Sequence, residues 1–141
     1  MKKYCIINKG VDKVGKTQTI KEVIRLLKNK NCAVLDDDKE LGEERCVLQY
    51  RDHVVACITY GDTKEYFIDD LKEVLKFNPN VVVCASRTKG NTVDVISQEL
   101  KGYTKISYSN FYSPDNSAVF IKTIKESSAL SIIQLIDKLI Q

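Results

Sequence analysis

The sequence predicts an α/β domain in three layers, with a mostly parallel sheet, an antiparallel edge hairpin and flanking helices. Three observations lead to this prediction. Short apolar runs alternate along the chain with longer segments in which apolar residues recur at helical spacing. The run 81–85 is apolar throughout, which is typical of a parallel strand buried on both faces. The runs 46–50 and 54–60 flank a short polar break, which indicates a hairpin at the edge of the sheet.

Each predicted strand is a short apolar or alternating run that polar residues bound. The segment 36–38, for example, is three aspartates and is predicted to be a polar loop after the second strand. The predicted strands are 4–7, 31–35, 46–50, 54–60, 81–85, 103–109 and 118–124. The predicted helices run from Lys16 to about Lys30, over 63–77, from Asn91 or Thr92 to Gly102 as a C′ residue, and from a cap at Ser127 or Ser128 to Ile140.

Length and composition fit one globular domain spanning residues 1–141. Apolar residues make up 43% of the chain and charged residues 29%, which is typical of a soluble protein with a buried core. The net charge is +3, and the lysines are spread along the chain without an arginine-rich run. A nucleic-acid partner is therefore not implied, although a basic stripe can still form in space.

The five cysteines lie within or beside apolar runs and form no C-x-x-C pair. Buried free thiols in a reducing cytoplasm are the expectation. The single histidine, His53, is predicted to lie on the surface at the hairpin turn. No run is long enough to span a membrane, and the apolar stretch after Lys3 is too short for a signal peptide. The cysteines are Cys5, Cys32, Cys46, Cys57 and Cys84.

Residues 10–17 fit the pattern G-x-x-x-x-G-K-[ST] without a mismatch, between a predicted strand and a predicted helix. Gly10 and Gly15 allow backbone conformations that turn successive N–H groups towards an anion. The start of the helix adds unpaired N–H groups and the positive end of its dipole. Lys16 is expected to reach the β- and γ-phosphates of a nucleotide, and Thr17 to offer its hydroxyl to Mg²⁺. The predicted nucleotide-binding residues are Gly10, Val11, Asp12, Lys13, Val14, Gly15, Lys16, Thr17 and Gln18.

These residues resemble the Walker A loop of the P-loop nucleoside triphosphatases, whose fold is a mostly parallel sheet flanked by helices. The resemblance implies a P-loop sandwich that binds a nucleoside triphosphate, with ATP as the first expectation, together with Mg²⁺. It covers eight residues and identifies no particular family. A guanine-reading N-K-x-D motif does not follow the late strand, and Val11 stands where the MinD and ParA group has an extra lysine.

Asp62 follows a predicted apolar strand at the edge where ligands of such sheets bind. In families that resemble this one, an acidic residue in that position holds a water on Mg²⁺, so Asp62 is a predicted metal-binding and catalytic residue. It is displaced from the strand by Tyr60 and Gly61, and Asp62 with Glu65 also fits a capping box. Both roles remain open.

Arg87 and Lys89 form a close basic pair in the loop after the run 81–85. A cation there stabilises charge that develops on a γ-phosphate, so Arg87 is a predicted catalytic residue, with a plain exposed loop as the alternative. Asp36 is either part of a solvated turn or, as in some small-molecule kinases of the superfamily, the acceptor of a substrate hydroxyl proton. Phe111 or Tyr112 either stacks on the base or packs in the fold.

Two functions from different classes follow. The first is an NTP hydrolase or a nucleotide-controlled switch, in which Lys16 is catalytic with Arg87 and Asp62, and in which the output is binding of a partner protein. The alternative is a small-molecule phosphotransferase that uses Asp36 and Arg87. A weaker third possibility is a nucleotide-binding module without catalysis. The sequence indicates no oligomeric state and no membrane partner.

Overall fold

A computed structural model describes residues 2–9, 16–40, 43–59, 64–86, 91–109 and 118–141 of this chain. The strands are β1 (Tyr4–Lys9), β2 (Ala33–Glu40), β3 (Glu43–Tyr50), β4 (His53–Ile58), β5 (Val81–Ser86) and β6 (Thr104–Ser109). The helices are α1 (Lys16–Lys28), α2 (Lys64–Leu75), α3 (Asn91–Glu99) and α4 (Ala118–Leu139). None of these helices is long and apolar enough to cross a lipid bilayer.

The described strands form one mixed six-stranded sheet in the order β2-β3-β4-β5-β1-β6. β4, β5, β1 and β6 are parallel to one another, and β3 is antiparallel to both β2 and β4. The predicted α/β class with a mostly parallel sheet is therefore confirmed. β1 lies in the interior of the parallel part, between β5 and β6.

Two apolar cores lie on the two faces of this sheet. Side chains alternate along β1, so that Ile6 enters one core while Cys5 and Ile7 enter the other. α1 and α4 cover the first face, where Ile24 and Ile136 are buried. The second face is covered by α2 and α3, with Phe67, Leu71, Val74, Val95, Ile96 and Leu100 buried there.

The edge of the sheet differs from the prediction. β2 continues from Ala33 through the three aspartates to Glu40, so the predicted polar loop over 36–38 is wrong. The pairing with β3 explains the difference, because oppositely charged residues face each other across the two strands. Asp38 is paired with Arg45, and Lys39 is paired with Glu44. β2 thus lies outside the predicted edge hairpin and takes the edge position.

The hairpin between β3 and β4 is confirmed. Its turn consists of Arg51 and Asp52, whose φ angles of 50° and 63° are typical of a type I′ turn. His53 begins β4 directly after the turn, and its Nδ1 lies 2.7 Å from the carbonyl oxygen of Arg51. Asn78 follows the end of α2 and takes a left-handed backbone with φ 51°, which is consistent with the predicted end of that helix at residue 77. Gly102, in contrast, does not take the left-handed backbone predicted for a C′ residue, and α3 ends at Glu99.

The final element is a single helix where a strand followed by a helix was predicted. α4 begins at Ala118 and runs without a break to Leu139, so 118–124 is not a strand and Ser127 and Ser128 lie inside the helix. The hydroxyls of this helix do not interrupt it, because Thr123 and Ser131 each donate to the carbonyl oxygen four residues earlier, at 3.0 and 3.1 Å. A short apolar run such as Val119–Ile121 does not distinguish strand from helix by its pattern alone.

All five cysteines are free thiols. Cys5, Cys46, Cys57 and Cys84 are buried, and Cys32 is partly exposed. Burial raises the pKa of the Cys46 thiol to about 12, since the charged thiolate is poorly solvated there. Burial also raises the pKa of Cys32.

We therefore expect a thiol reagent to modify Cys32 alone in the folded protein. Denaturation should release the other four thiols for reaction, because burial in the folded protein is what keeps the reagent from them. Counting modified thiols by mass spectrometry with and without urea checks this, and Cys32→Ser should abolish native labelling. Rapid native labelling of two or more thiols would contradict the described core.

Candidate functional site

The candidate site lies at the carboxyl edge of the parallel strands. Lys9 at the end of β1 is the register partner of Ser86 at the end of β5 and of Ser109 at the end of β6. The ends of three neighbouring strands are therefore level. Adjacent strands lie about 4.8 Å apart, so the chain leaves these strands within a narrow strip.

The connections from β1 and β5 lead to opposite faces of the sheet. The chain passes from β1 to α1, which packs on one face, and from β5 to α3, which packs on the other. Divergence of this kind between adjacent parallel strands produces a crevice at their carboxyl ends, and ligands of open α/β sheets bind there. The segment 10–15 follows one of these two strands, and the segment 87–90 follows the other.

Most predicted site residues lie outside the described part of the chain. These are Gly10, Val11, Asp12, Lys13, Val14, Gly15, Asp62, Arg87, Lys89, Phe111 and Tyr112. Lys16 is the first residue of α1, as predicted. Thr17 and Gln18 follow in the first turn, where Thr17 is partly exposed and Gln18 is exposed.

The strand order gives Asp62 and Arg87 different relations to β1. Arg87 directly follows β5, which is adjacent to β1. Asp62 follows β4, which is separated from β1 by β5, so its strand ends about 10 Å from the end of β1. The route from the carboxyl end of β1 to the segment that carries Arg87 is therefore the shorter of the two.

Three polar residues at this edge are buried although the strands around them are apolar. Asn8, Thr59 and Ser86 lie at or just beyond the ends of β1, β4 and β5, and each is at least 99% buried. Thr59 extends the β3–β4 pairing, since its Oγ1 accepts from the Glu44 backbone N–H at 2.8 Å. Asn8 and Ser86 place polar groups beneath the crevice. In the sequence, the signal for Asn8 and Ser86 is that each is a polar residue directly after an apolar run.

Asp36 is held inside the sheet structure and does not lie in a loop. Its Oδ2 accepts from Nε of Arg45 at 2.9 Å, and Nη1 of the same guanidinium donates to Oδ1 of Asp70 on α2 at 2.8 Å. Asp38 lies on the same side of β2, 3.6 Å from Arg45, whereas Asp37 points to the other face and accepts from Lys28 of α1 at 2.6 Å. The aspartate run thus ties the edge strand to both helix layers.

A basic groove extends along α1 from its first turn, where α1 borders the sheet edge and α4. It has a volume of about 320 Å³ and is formed by α1, by the ends of β2 and β3, and by α4. Its floor is Ile24, and its walls carry cationic side chains from three elements. The lining residues are Gln18, Lys21, Glu22, Ile24, Arg25, Lys28, Lys39, Glu44 and Lys125.

Glu22 is the buried carboxylate of this groove. Nε of Arg25 donates to its two oxygens at 3.1 and 3.0 Å. This bond holds the pKa of Glu22 below its ordinary value, and the positive charges of Lys125 and Lys122 act in the same direction against the opposing effect of burial.

Glu22→Gln is expected to destabilise the protein at neutral pH more than in acid. A carboxylate whose pKa is lower in the folded state stabilises the fold above its unfolded pKa of about 4.5, and this contribution is lost as the pH falls below that value. Urea unfolding of the wild type and the variant at pH 7 and pH 3 measures the effect. Glu99→Gln, on α3, controls for loss of a surface carboxylate. A difference in the free energy of unfolding that stays constant with pH would contradict the role of the Glu22 charge.

Among the described residues, no group of three or more His, Cys, Asp or Glu side chains is arranged to hold a metal ion. Comparison of the chain with models of protein families, with curated proteins and with solved structures gave no match.

Proposed function

We propose that this chain binds a nucleoside triphosphate, ATP in the first instance, together with Mg²⁺, and acts as an NTP hydrolase or a nucleotide-controlled switch in the cytoplasm. One observation carries the proposal. The G-x-x-x-x-G-K-T segment connects an interior parallel strand to the first residue of a helix, next to the divergence of β1 and β5. A polyphosphate requires backbone donors, a helix start and a lysine together, and the motif supplies all three.

The roles follow from the chemistry of the residues. Lys16 neutralises charge on the β- and γ-phosphates, and the N–H groups of the first turn of α1 donate to phosphate oxygens. Thr17 is partly exposed in that turn, and its hydroxyl is the kind of oxygen that Mg²⁺ takes alongside waters. Asp62 is the residue proposed to help hold the Mg²⁺ ion. When bound, the ion would offset part of the negative charge on the phosphates.

Arg87 is the proposed sensor of the γ-phosphate. It follows directly on Ser86, the register partner of Lys9, so its segment begins beside the segment that carries the motif. Charge that develops on the transferred group is stabilised by a guanidinium at this position. The sequence offers no evident residue to position the attacking water, so the proposal is slow hydrolysis and a switch whose output is binding of a partner protein.

A small-molecule phosphotransferase is the second candidate. It depends on Asp36 as the acceptor of a substrate hydroxyl proton, but this carboxylate, on β2, accepts a hydrogen bond from Arg45 on β3. Release of that bond would be needed before Asp36 could accept from a substrate. We therefore rank hydrolysis or switching first and transfer second, with nucleotide binding without catalysis as the remaining outcome.

Phosphate release from ATP and Mg²⁺ in the absence of any acceptor tests the proposal. We expect slow turnover, and Arg87→Ala should reduce it by at least about tenfold while nucleotide affinity is retained. Arg51→Ala removes an exposed arginine from the turn at the opposite end of β4 and should leave turnover unchanged. Release only after addition of a metabolite pool would favour transfer. Turnover unaffected by Arg87→Ala would remove that residue from the proposed site.

A further inference from the structure

The basic groove beside α1 carries cationic side chains that are not part of the nucleotide-binding motif. Its cationic side chains come from three separate elements, with Lys21 and Arg25 on α1, Lys39 on β2 and Lys125 on α4. Lys39 is exposed, and Lys21 and Lys125 are partly exposed. The groove therefore collects positive charge on a surface open to solvent.

The charge in the groove is only partly compensated by its own carboxylates. Five lysine and arginine side chains line it, against two glutamates, Glu22 and Glu44. Arg25 is bonded to Glu22, and Lys28 is bonded to Asp37 outside the lining. Lys21, Lys39 and Lys125 are the lining cations that remain besides these two pairs, and Glu44 is the remaining lining carboxylate.

We propose that this groove binds a small phosphorylated compound that carries hydroxyl groups, such as a sugar phosphate. Lys21, Lys39 and Lys125 line the groove from three elements and supply the cations for the phosphate of a compact dianion. The volume of about 320 Å³ lies within the range of small-molecule sites. A long polyanion would instead need cations repeated along an extended stripe.

The remaining polar groups of the lining fit the hydroxyls of such a compound. Gln18 offers an amide oxygen and N–H donors, and the carboxylate of Glu44 accepts hydrogen bonds. Inorganic phosphate would leave these acceptors unused. A phosphorylated hydroxy compound uses the cations and the acceptors together, and Ile24 at the floor contacts its carbon chain.

This inference is independent of nucleotide binding by the motif. Gln18 belongs to the first turn of α1 and to the groove, so the two sites would adjoin. Lys16→Ala weakens phosphate binding at the motif and leaves every groove residue in place, and shifts at the β2 end and in α4 then report the groove. Ligand binding to the groove is expected to persist in that variant.

The test is a titration of ¹⁵N-labelled Lys16→Ala protein with ribose 5-phosphate, inorganic phosphate and ribose, followed by amide chemical shifts. We expect ribose 5-phosphate to shift amides of α1, of the β2 end and of α4 around Lys125. Binding should be at least about threefold tighter than that of inorganic phosphate, because the acceptors add hydrogen bonds. Ribose alone should cause no shift.

Lys21→Gln with Lys125→Gln should weaken binding of ribose 5-phosphate by about tenfold or more, since two charge-assisted contacts are lost. Lys30→Gln with Lys138→Gln is the matched control, because it removes the same charge beyond the end of α1 and near the far end of α4. The proposal is overturned by equal losses in both double variants or by the absence of groove shifts at 20 mM ligand, a concentration about tenfold above the millimolar affinity of a weak site. It is also overturned if a single-stranded oligonucleotide shifts the groove and ribose 5-phosphate does not.

Discussion

Replacing Lys16 with alanine is expected to weaken binding of ATP with Mg²⁺ by about 10- to 100-fold. The lysine of the motif supplies a charge-assisted hydrogen bond to phosphate, which contributes about 1.5–3 kcal/mol. Loss of the ammonium leaves the backbone donors and the helix start in place, so residual weak binding should remain. Isothermal titration of both proteins measures the change.

The fold should survive this substitution, since Lys16 is the first residue of α1 and alanine favours helix. Lys30→Ala provides the matched control, because Lys30 is an exposed lysine beyond the other end of α1. Its affinity for the nucleotide should equal that of the wild type. If Lys16→Ala binds ATP as tightly as Lys30→Ala does, the motif is not a phosphate site.

Replacing Arg45 with alanine is expected to lower the free energy of unfolding by about 3 kcal/mol or more. Its guanidinium lies among Asp36, Asp38 and Asp70, and it is only 16% exposed. Asp70 is 92% buried, and its Oδ2 has no hydrogen-bond partner among the described residues. Removal of the one cation would leave three neighbouring carboxylates, one of them buried, without compensation.

The deficit of Arg45→Ala should depend on pH. Burial already raises the pKa of Asp70, and Arg45 opposes that rise, so the variant should have a still higher pKa there. A carboxyl with a raised pKa takes up a proton on folding, which means that its penalty is complete above the folded pKa and disappears below its ordinary value of 3.8. Urea unfolding should therefore show the largest deficit at neutral pH and a smaller one in acid.

Arg51→Ala is the control for this prediction, because Arg51 is 57% exposed and pairs with Asp137 at the surface. Its effect should be below about 1 kcal/mol. The double variant Arg45→Ala with Asp70→Asn should recover part of the loss, since it removes the buried charge. Equal effects of Arg45→Ala and Arg51→Ala would show that the aspartate cluster contributes little to stability.

The parallel core of the fold was predictable because its signals are local. The apolar run of β5 and the helical spacing of Ile20, Ile24 and Leu27 in α1 each lie within one segment of sequence. The helix start at Lys16 follows from the motif, which requires a helix there. Each of these elements buries one continuous pattern of apolar residues, so pattern and structure agree.

The edge strand was mispredicted because non-local contacts decide it, and the start of the last helix was mispredicted because its local pattern is ambiguous. Asp36–38 looks like a solvated turn until Arg45 and Lys28 are brought to its two sides. The start of α4 looks like a strand, and its apolar residues Val119–Ile121 are exposed, so their short run does not decide between strand and helix. Long-range pairing overrides local propensity at the edge strand.

The candidate site was predictable in part for the same reason. The motif is contiguous, so its position at the end of β1 could be read from the sequence. The basic groove could not be read from the sequence, because Lys21 and Lys125 line the same groove only as a result of the packing of α1 against α4. The metal-binding role of Asp62 was predicted from the resemblance to other P-loop families. In the strand order, β5 lies between β1 and β4, the strand that Asp62 follows.

Binding of nucleotides to the unmodified protein is the most direct test of the central claim. The measurement is a calorimetric titration with ATP, GTP, ADP and GDP, each with and without Mg²⁺. We expect at least one triphosphate to bind with a dissociation constant of about 100 μM or lower, and removal of Mg²⁺ to weaken that binding. If none of the four nucleotides binds at millimolar concentration with Mg²⁺ present, the glycine-rich segment does not serve a polyphosphate and the proposed function is wrong.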